Sequence, residues 1–142
     1  MSLDTLLLRN RSDRGVNRRR GTATIELAVC LPLIVLVTFG AVEGASMIFL
    51  KQALVQSAYE GAKAAIKPNA TNSDVEAATQ SVLVGRSLND STLEMTPSSI
   101  ENLPSGTVIT ISVRAPSASN SLFPIGVLSA HDIEGVAVMV KE

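Results

Sequence analysis

The sequence predicts an α+β protein anchored in a membrane. One long N-terminal transmembrane helix extends out of the bilayer, and a short helix and a small antiparallel sheet follow. Three observations predict this. Residues 1–20 hold six Arg against Asp4 and Asp13, a basic head of net +4. Leu27–Val42 is a run of sixteen uncharged residues, LAVCLPLIVLVTFGAV. The C-terminal part then alternates Ile and Val with Thr and Ser, the period of half-buried strands.

Composition removes several function classes. The chain has 142 residues, about one domain. It is 46% hydrophobic, 18% charged and 3% aromatic, with one His and one Cys. So few His and Cys exclude a self-contained zinc site of those types and a disulfide framework. So few aromatics argue against a stacking surface for nucleic acid. The net charge of −1 hides an asymmetry, because residues 21–142 carry −5 against the head's +4. A basic head, an apolar run and a mildly acidic body make an envelope protein, not a cytosolic enzyme.

The apolar run is long enough to span. After Glu43 the chain stays uncharged from Gly44 to Leu50, so Leu27–Leu50 is 24 residues with one carboxylate. About 20 apolar residues cross a bilayer as helix, which puts the transmembrane part at about residues 25–50. A buried core helix is the globular alternative, but the chain after the helix has one aromatic, Phe123, and could hardly enclose it. A cleaved secretory signal is the other. Its run would be shorter, and the small residues near Gly44–Ser46 sit beside charged Glu43. Arg9, Arg11, Arg14, Arg18, Arg19 and Arg20 precede the span, and Lys51, Lys63 and Lys67 follow it. The more basic flank stays cytoplasmic, so the C-terminal body is expected outside. Cys30 falls within the span, and no exported disulfide is expected.

The remaining elements follow from local signals. Residues 1–21 read as a basic cytoplasmic leader. Residues 22–67 should form one helix, with 51–67 as its exported amphipathic half. That half is rich in Ala, Lys and Gln. Leu50, Ala53, Leu54, Ser57, Ala58, Gly61 and Ala65 recur at three- and four-residue steps, and Pro68 ends the helix. Its length is about 69 Å at 1.5 Å per residue. Residues 68–142 should make a small α+β domain. Ser73 and Glu76 have capping-box spacing and open a helix to about Val84, with Gly85 as its stop. Thr92–Thr96, Thr107–Arg114 and Gly135–Lys141 read as strands, and Ala115–Phe123 as a loop. Ile109, Ile111, Val113, Val136, Val138 and Val140 are expected to form the strand core against the exported half-helix.

One junction carries function. It reads Arg18-Arg19-Arg20-Gly21-Thr22-Ala23-Thr24-Ile25-Glu26-Leu27, a basic tract, a Gly, small or apolar residues, and a Glu at the mouth of the span. It resembles the processing site of type IV prepilins, which a membrane aspartyl peptidase cuts after the Gly. Glu26-Leu27-Ala28, Leu31-Pro32-Leu33, Phe39-Gly40-Ala41-Val42-Glu43 and Gln52-Ala53-Leu54 with Ala58-Tyr59-Glu60-Gly61-Ala62 look like the TadE family. These are minor pilins or pseudopilins of the tight-adherence (Flp) pilus. The resemblance is specific over about residues 18–66 and loose beyond, where it includes Leu122-Phe123-Pro124. Leu27 stands where such pilins often carry an aromatic, and Thr22 and Thr24 replace more apolar residues.

Each site residue has two readings. Gly21 is the scissile residue of the resemblance, with Thr22 as the new N-terminus, or a loop Gly before a helix. Glu26 lies about 6 Å along the helix from Thr22. An intramembrane carboxylate is functional by default, and the resemblance implies pairing with a neighbouring subunit's Thr22 amine. The other reading is snorkelling to the headgroups. Glu43 is a helix-packing residue in subunit pairing or an interface carboxylate facing water. Pro32 should bend the span, and Gly40 with Gly44 permits close helix packing. His131, lone beside Asp132, belongs to no catalytic constellation.

The expectation is a structural protein, not an enzyme, with no cofactor, metal or small-molecule substrate. The resemblance implies a single-pass protein of the bacterial inner membrane, in a pilin-like fold, that serves adhesion and surface colonisation. Its implied partners are a prepilin peptidase, the major Flp pilin, a TadF-type minor pilin and an assembly platform. The rival is an uncleaved single-pass anchor whose exported body binds an envelope component.

Overall fold

The computed structural model describes residues 14–121 and 131–142. Residues 1–13 of the leader and the Leu122-Phe123-Pro124 stretch lie outside the described residues. The elements in order are α1 (Arg14–Ala65), α2 (Asn72–Gly85), β1 (Thr92–Thr96), β2 (Val108–Pro116), a single turn α3 (Ser117–Asn120) and β3 (Asp132–Val140). This is the expected α+β architecture: a long apolar helix, a shorter helix and a three-stranded antiparallel sheet in the order β1-β2-β3. The chain divides into two units, Met1–Ala41 and Val42–Glu142.

In the first unit, α1 is continuous through Pro32. Its apolar residues are exposed all round: Ile25 is 66% exposed, Val29 72% and Leu36 71%. A surface of this kind is stable in lipid or against other apolar helices, not in water. The Thr38 hydroxyl donates to the Ile34 carbonyl at 2.8 Å, so the helix itself satisfies this polar group of the span.

The second unit is a small domain built on residues 42–65 of α1. Leu50, Ala53, Leu54, Ser57, Ala58, Ala62 and Ala65 are buried there, the face that the three- and four-residue spacing predicts. Small residues let the sheet and α2 approach closely. A Cβ on Gly61 would overlap Thr79 Oγ1 and stand 3.4 Å from Ile111 Cγ2 and 3.5 Å from Val75 Cγ1. A Cβ on Gly135 would overlap the main chain of Leu54 and Val55. Ile109, Ile111, Val113 and Ala115 of β2 fill the space beneath, with Val75, Leu83 and Ile100.

Two expectations are corrected. Val136, Val138 and Val140 do not join the core and are 45%, 59% and 53% exposed. The register pairs Ile109 with Met139, Ile111 with Ala137 and Val113 with Gly135. Paired residues share a face, so the odd residues of β3 point inward and the three Val outward. The helix passes so close to β3 that Gly135 and Ala137 fit beneath it. The capping box also differs. Thr71, not Ser73, is the N-cap, and its hydroxyl accepts from Asp74 N while the Asp74 carboxylate accepts from Thr71 N at 3.0 Å. Asn72 is thereby left to accept from Ile100 N and donate to the Ser98 carbonyl, both at 2.9 Å, tying α2 to the β1–β2 connection.

At the end of α2, Arg86 is the C-cap and Ser87 takes the positive φ. Gly85 is the last helical residue. Lys141 caps α1 from the far end of the sheet, its Nζ donating to the carbonyls of Ala65 at 3.3 Å and Lys67 at 3.2 Å. The end of a helix carries negative partial charge, which favours a cation there.

Candidate assembly site

The site residues of the sequence lie along α1. Gly21 is exposed and inside the helix, and nothing among the described residues stands within 4 Å of where its Cβ would be. Thr22 follows, one turn before Glu26, so the two share a helix face. Glu26 is exposed between Ile25 and Leu27, which are 66% and 59% exposed. It has no hydrogen-bond or ion-pair partner among the described residues. A carboxylate without a partner in an apolar helix costs about 3 kcal/mol at mid-span on insertion scales.

Gly40 and Gly44 likewise have nothing within 4 Å of an added Cβ. No contact among the described residues explains them, and the backbone there is open to close approach.

Glu43 belongs to the second unit and does not face water. It is 4% exposed, and the Ser121 hydroxyl donates to its Oε1. Sequence reasoning had no route to this partner, which lies 78 positions away. A further polar network was missed on the outer face of the sheet. The Glu134 carboxylate accepts from Ser112 Oγ and from Arg114 at 3.2 Å, and Arg114 also meets Glu94 at 3.6 Å. The Glu134 carboxyl is held below its ordinary range, first by the Ser112 hydrogen bond and then by Arg114. The signal for it is the register, which sets Arg114 opposite both Thr92 and Glu134 and Ser112 opposite Glu94.

His131 is exposed just before β3, and its carbonyl accepts from Ser117 N at 3.2 Å. Among the described residues, no three of His, Cys, Asp and Glu come together as metal ligands.

Among the described residues one helix, Gly21–Ala65, is long and apolar enough to cross a membrane, and it fits the single-pass anchor of a membrane protein with a small α+β domain. The comparison with protein families makes this more specific. The family model described as TadE-like protein matches residues 21–63, from Gly21 through the part of α1 that packs on the sheet. The match covers less than a third of the chain and lies wholly within α1. No curated protein and no solved structure matches the chain.

Proposed function

We propose that the protein is a minor pilin or pseudopilin of a tight-adherence pilus. It inserts in the bacterial inner membrane with its Arg-rich end in the cytoplasm and its C-terminal domain outside. A prepilin peptidase cuts it after Gly21, and it then assembles with the major pilin and a TadF-type partner on a membrane platform. Its role is structural and not enzymatic, in a pilus that serves adhesion. The observation that carries this reading is the meeting of three features at one place. The TadE-like match begins at Gly21, nothing among the described residues stands within 4 Å of where a Gly21 Cβ would be, and Glu26 stands exposed without a partner among the described residues one turn beyond Thr22. Cleavage frees the Thr22 amine, and the amine of one subunit compensates the Glu26 charge of the next.

One observation favours the rival, an uncleaved anchor for an envelope-binding domain. The helix runs from Arg14 through Gly21 without a break, so a peptidase must unwind it to reach the bond. Intact mass and N-terminal sequencing of the membrane-extracted protein decide between them. The pilin reading expects Thr22 as the first residue and an uncut Gly21→Val variant. Protein that keeps residues 1–21 in its mature form favours the rival.

A further inference from the structure

The sheet has two unlike edges. β1 has five residues and Pro97 follows it. β3 has nine, and its outer face carries Val136, Val138 and Val140. Ser117 N donates to the His131 carbonyl at 3.2 Å and Lys141 N to the Thr107 carbonyl at 2.9 Å. Main-chain direction alternates along an antiparallel strand. The odd residues of β3 therefore turn their N–H and C=O toward β2, and the even residues turn theirs to the open side. Lys51 Nζ covers the Glu134 carbonyl. The main chain of Val136, Val138 and Val140 is open among the described residues. A strand edge this apolar, without Pro or charge from Gly135 to Val140, pairs with another strand. By the same alternation, Leu93 and Met95 turn outward on β1.

Direction limits the choice of partner. Lys51 reaches Glu134 and Lys141 reaches Ala65. Fourteen helix residues rise about 21 Å and seven strand residues span about 23 Å. β3 thus runs beside residues 51–65 of the helix in the same direction, and β1 is parallel to β3.

We infer that the open edge of β3 takes the β1 edge of a second copy, parallel and head to tail, with Val138 opposite Glu94. The inference rests on the pilin reading, in which neighbouring copies point one way. Val136 then faces Thr92 of the second copy and Val140 faces Thr96. The Val138 N–H donates to the Leu93 carbonyl of the second copy, and the Met95 N–H of that copy donates to the Val138 carbonyl. Pro97 has no N–H, so the ladder stops where β1 stops. Charge agrees with this pairing. The helix and turn beside β3 expose Lys51, Lys63 and Lys67 against partly exposed Glu60, while β3 itself carries exposed Asp132 at its start and Glu134, which is paired with Arg114. The β1 side exposes Glu94 and, on α2, Asp74 and Glu76, in a helix without Lys or Arg. Two-fold pairing of β3 with itself reverses one copy and leaves β1 unused.

The test is cysteine cross-linking of the full chain in membranes, in a Cys30→Ser background. Glu94→Cys and Val138→Cys copies, expressed together and oxidised, should form a disulfide-linked dimer. The double variant should form a ladder of higher multimers. Within one chain these positions lie two strands apart, about 10 Å, beyond the ~7 Å limit of a disulfide. Dimers of Val136→Cys or Val138→Cys alone, without the mixed product, would mean two-fold pairing and overturn the inference. So would the absence of every product at wild-type membrane levels. Failure to cross-link in protein that begins at Thr22 and co-purifies with pilus proteins overturns the strand contact alone. Cross-linked protein that keeps residues 1–21 upholds the contact and overturns the pilin reading.

Discussion

The main chain of Leu54 lies against Gly135 with no room for a Cβ between them. This contact sets the spacing of helix and sheet in the C-terminal domain. Gly135→Ala must push two backbones apart. Overpacking of this kind costs about 1–3 kcal/mol, seen as a lower melting midpoint of the detergent-solubilised protein. A variant that melts with the wild type would show that the helix does not rest on β3 at this point.

Gly61 faces a side chain instead, and its replacement should be partly rescuable. The overlapping atom is Thr79 Oγ1, which is buried without a hydrogen-bond partner among the described residues. Gly61→Ala alone should destabilise by about 1–3 kcal/mol. In a Thr79→Ala background the same change should cost clearly less, a coupling typical of touching residues. Strict additivity in the double-mutant cycle would deny the contact.

The two faces of the sheet should respond oppositely to charge. Ile111 is fully buried and Val138 is 59% exposed. Ile111→Asp buries an unpaired charge and should cost ~3 kcal/mol or more, with loss of protein from the membrane. Val138→Asp should change the stability of the isolated subunit by less than ~0.5 kcal/mol. Equal damage from both would place the Val side chain in the core.

The contrast between those residues marks where sequence reading stops. The helix face from Leu50 to Ala65 was legible, because a 3.6-residue period leaves one choice of buried stripe. Ile109, Ile111 and Val113 were legible for the same kind of reason. In β3 the alternation is equally clean but the three Val face outward, because the inner face at mid-strand holds Gly135 and Ala137 beneath α1. Size is decided there by a helix about 80 positions away, which no local period records. Glu43 is similar: its position near the end of the apolar run left water or a neighbouring subunit as its surroundings, while Ser121 gives it a buried partner within the domain. The cap moved from Ser73 to Thr71 because Asp74 satisfies the reciprocal geometry as well as Glu76 would, and tertiary bonds of Asn72 select the earlier start. The junction at Gly21 and Glu26 is a pattern of sequence alone, since neither residue has a tertiary contact among the described residues that would mark it.

Acid should weaken the C-terminal domain through two carboxylates. The Glu134 carboxyl is lowered from 4.5, first by Ser112 and then by Arg114. The Asp74 carboxyl is lowered from 3.8 by the Thr71 side chain and main chain. A carboxylate depressed on folding stabilises the fold above its unfolded value, and that contribution is lost as pH falls through the folded value. The melting midpoint should therefore fall as pH drops below about 4.5. Glu134→Gln and Asp74→Asn should each flatten that fall, with Asp74→Asn acting at the lower pH. Unchanged profiles in both variants would mean that these bonds do not persist in solution.

Glu26 bears the central claim. Within the chain it is exposed on an apolar helix without a partner among the described residues, and after cleavage the Thr22 amine of a neighbour supplies one. Glu26→Gln keeps the shape and removes the charge. Insertion should be as good or better, since the desolvation cost of the carboxylate disappears, and cutting after Gly21 should continue. The decisive measurement is co-purification of the mature protein with pilus components, wild type against Glu26→Gln, at matched membrane levels. The account predicts that the variant is inserted and processed but is not recovered with other pilins. Equal recovery with normal piliation would contradict it and leave Glu26 as a carboxylate that merely reaches the headgroups.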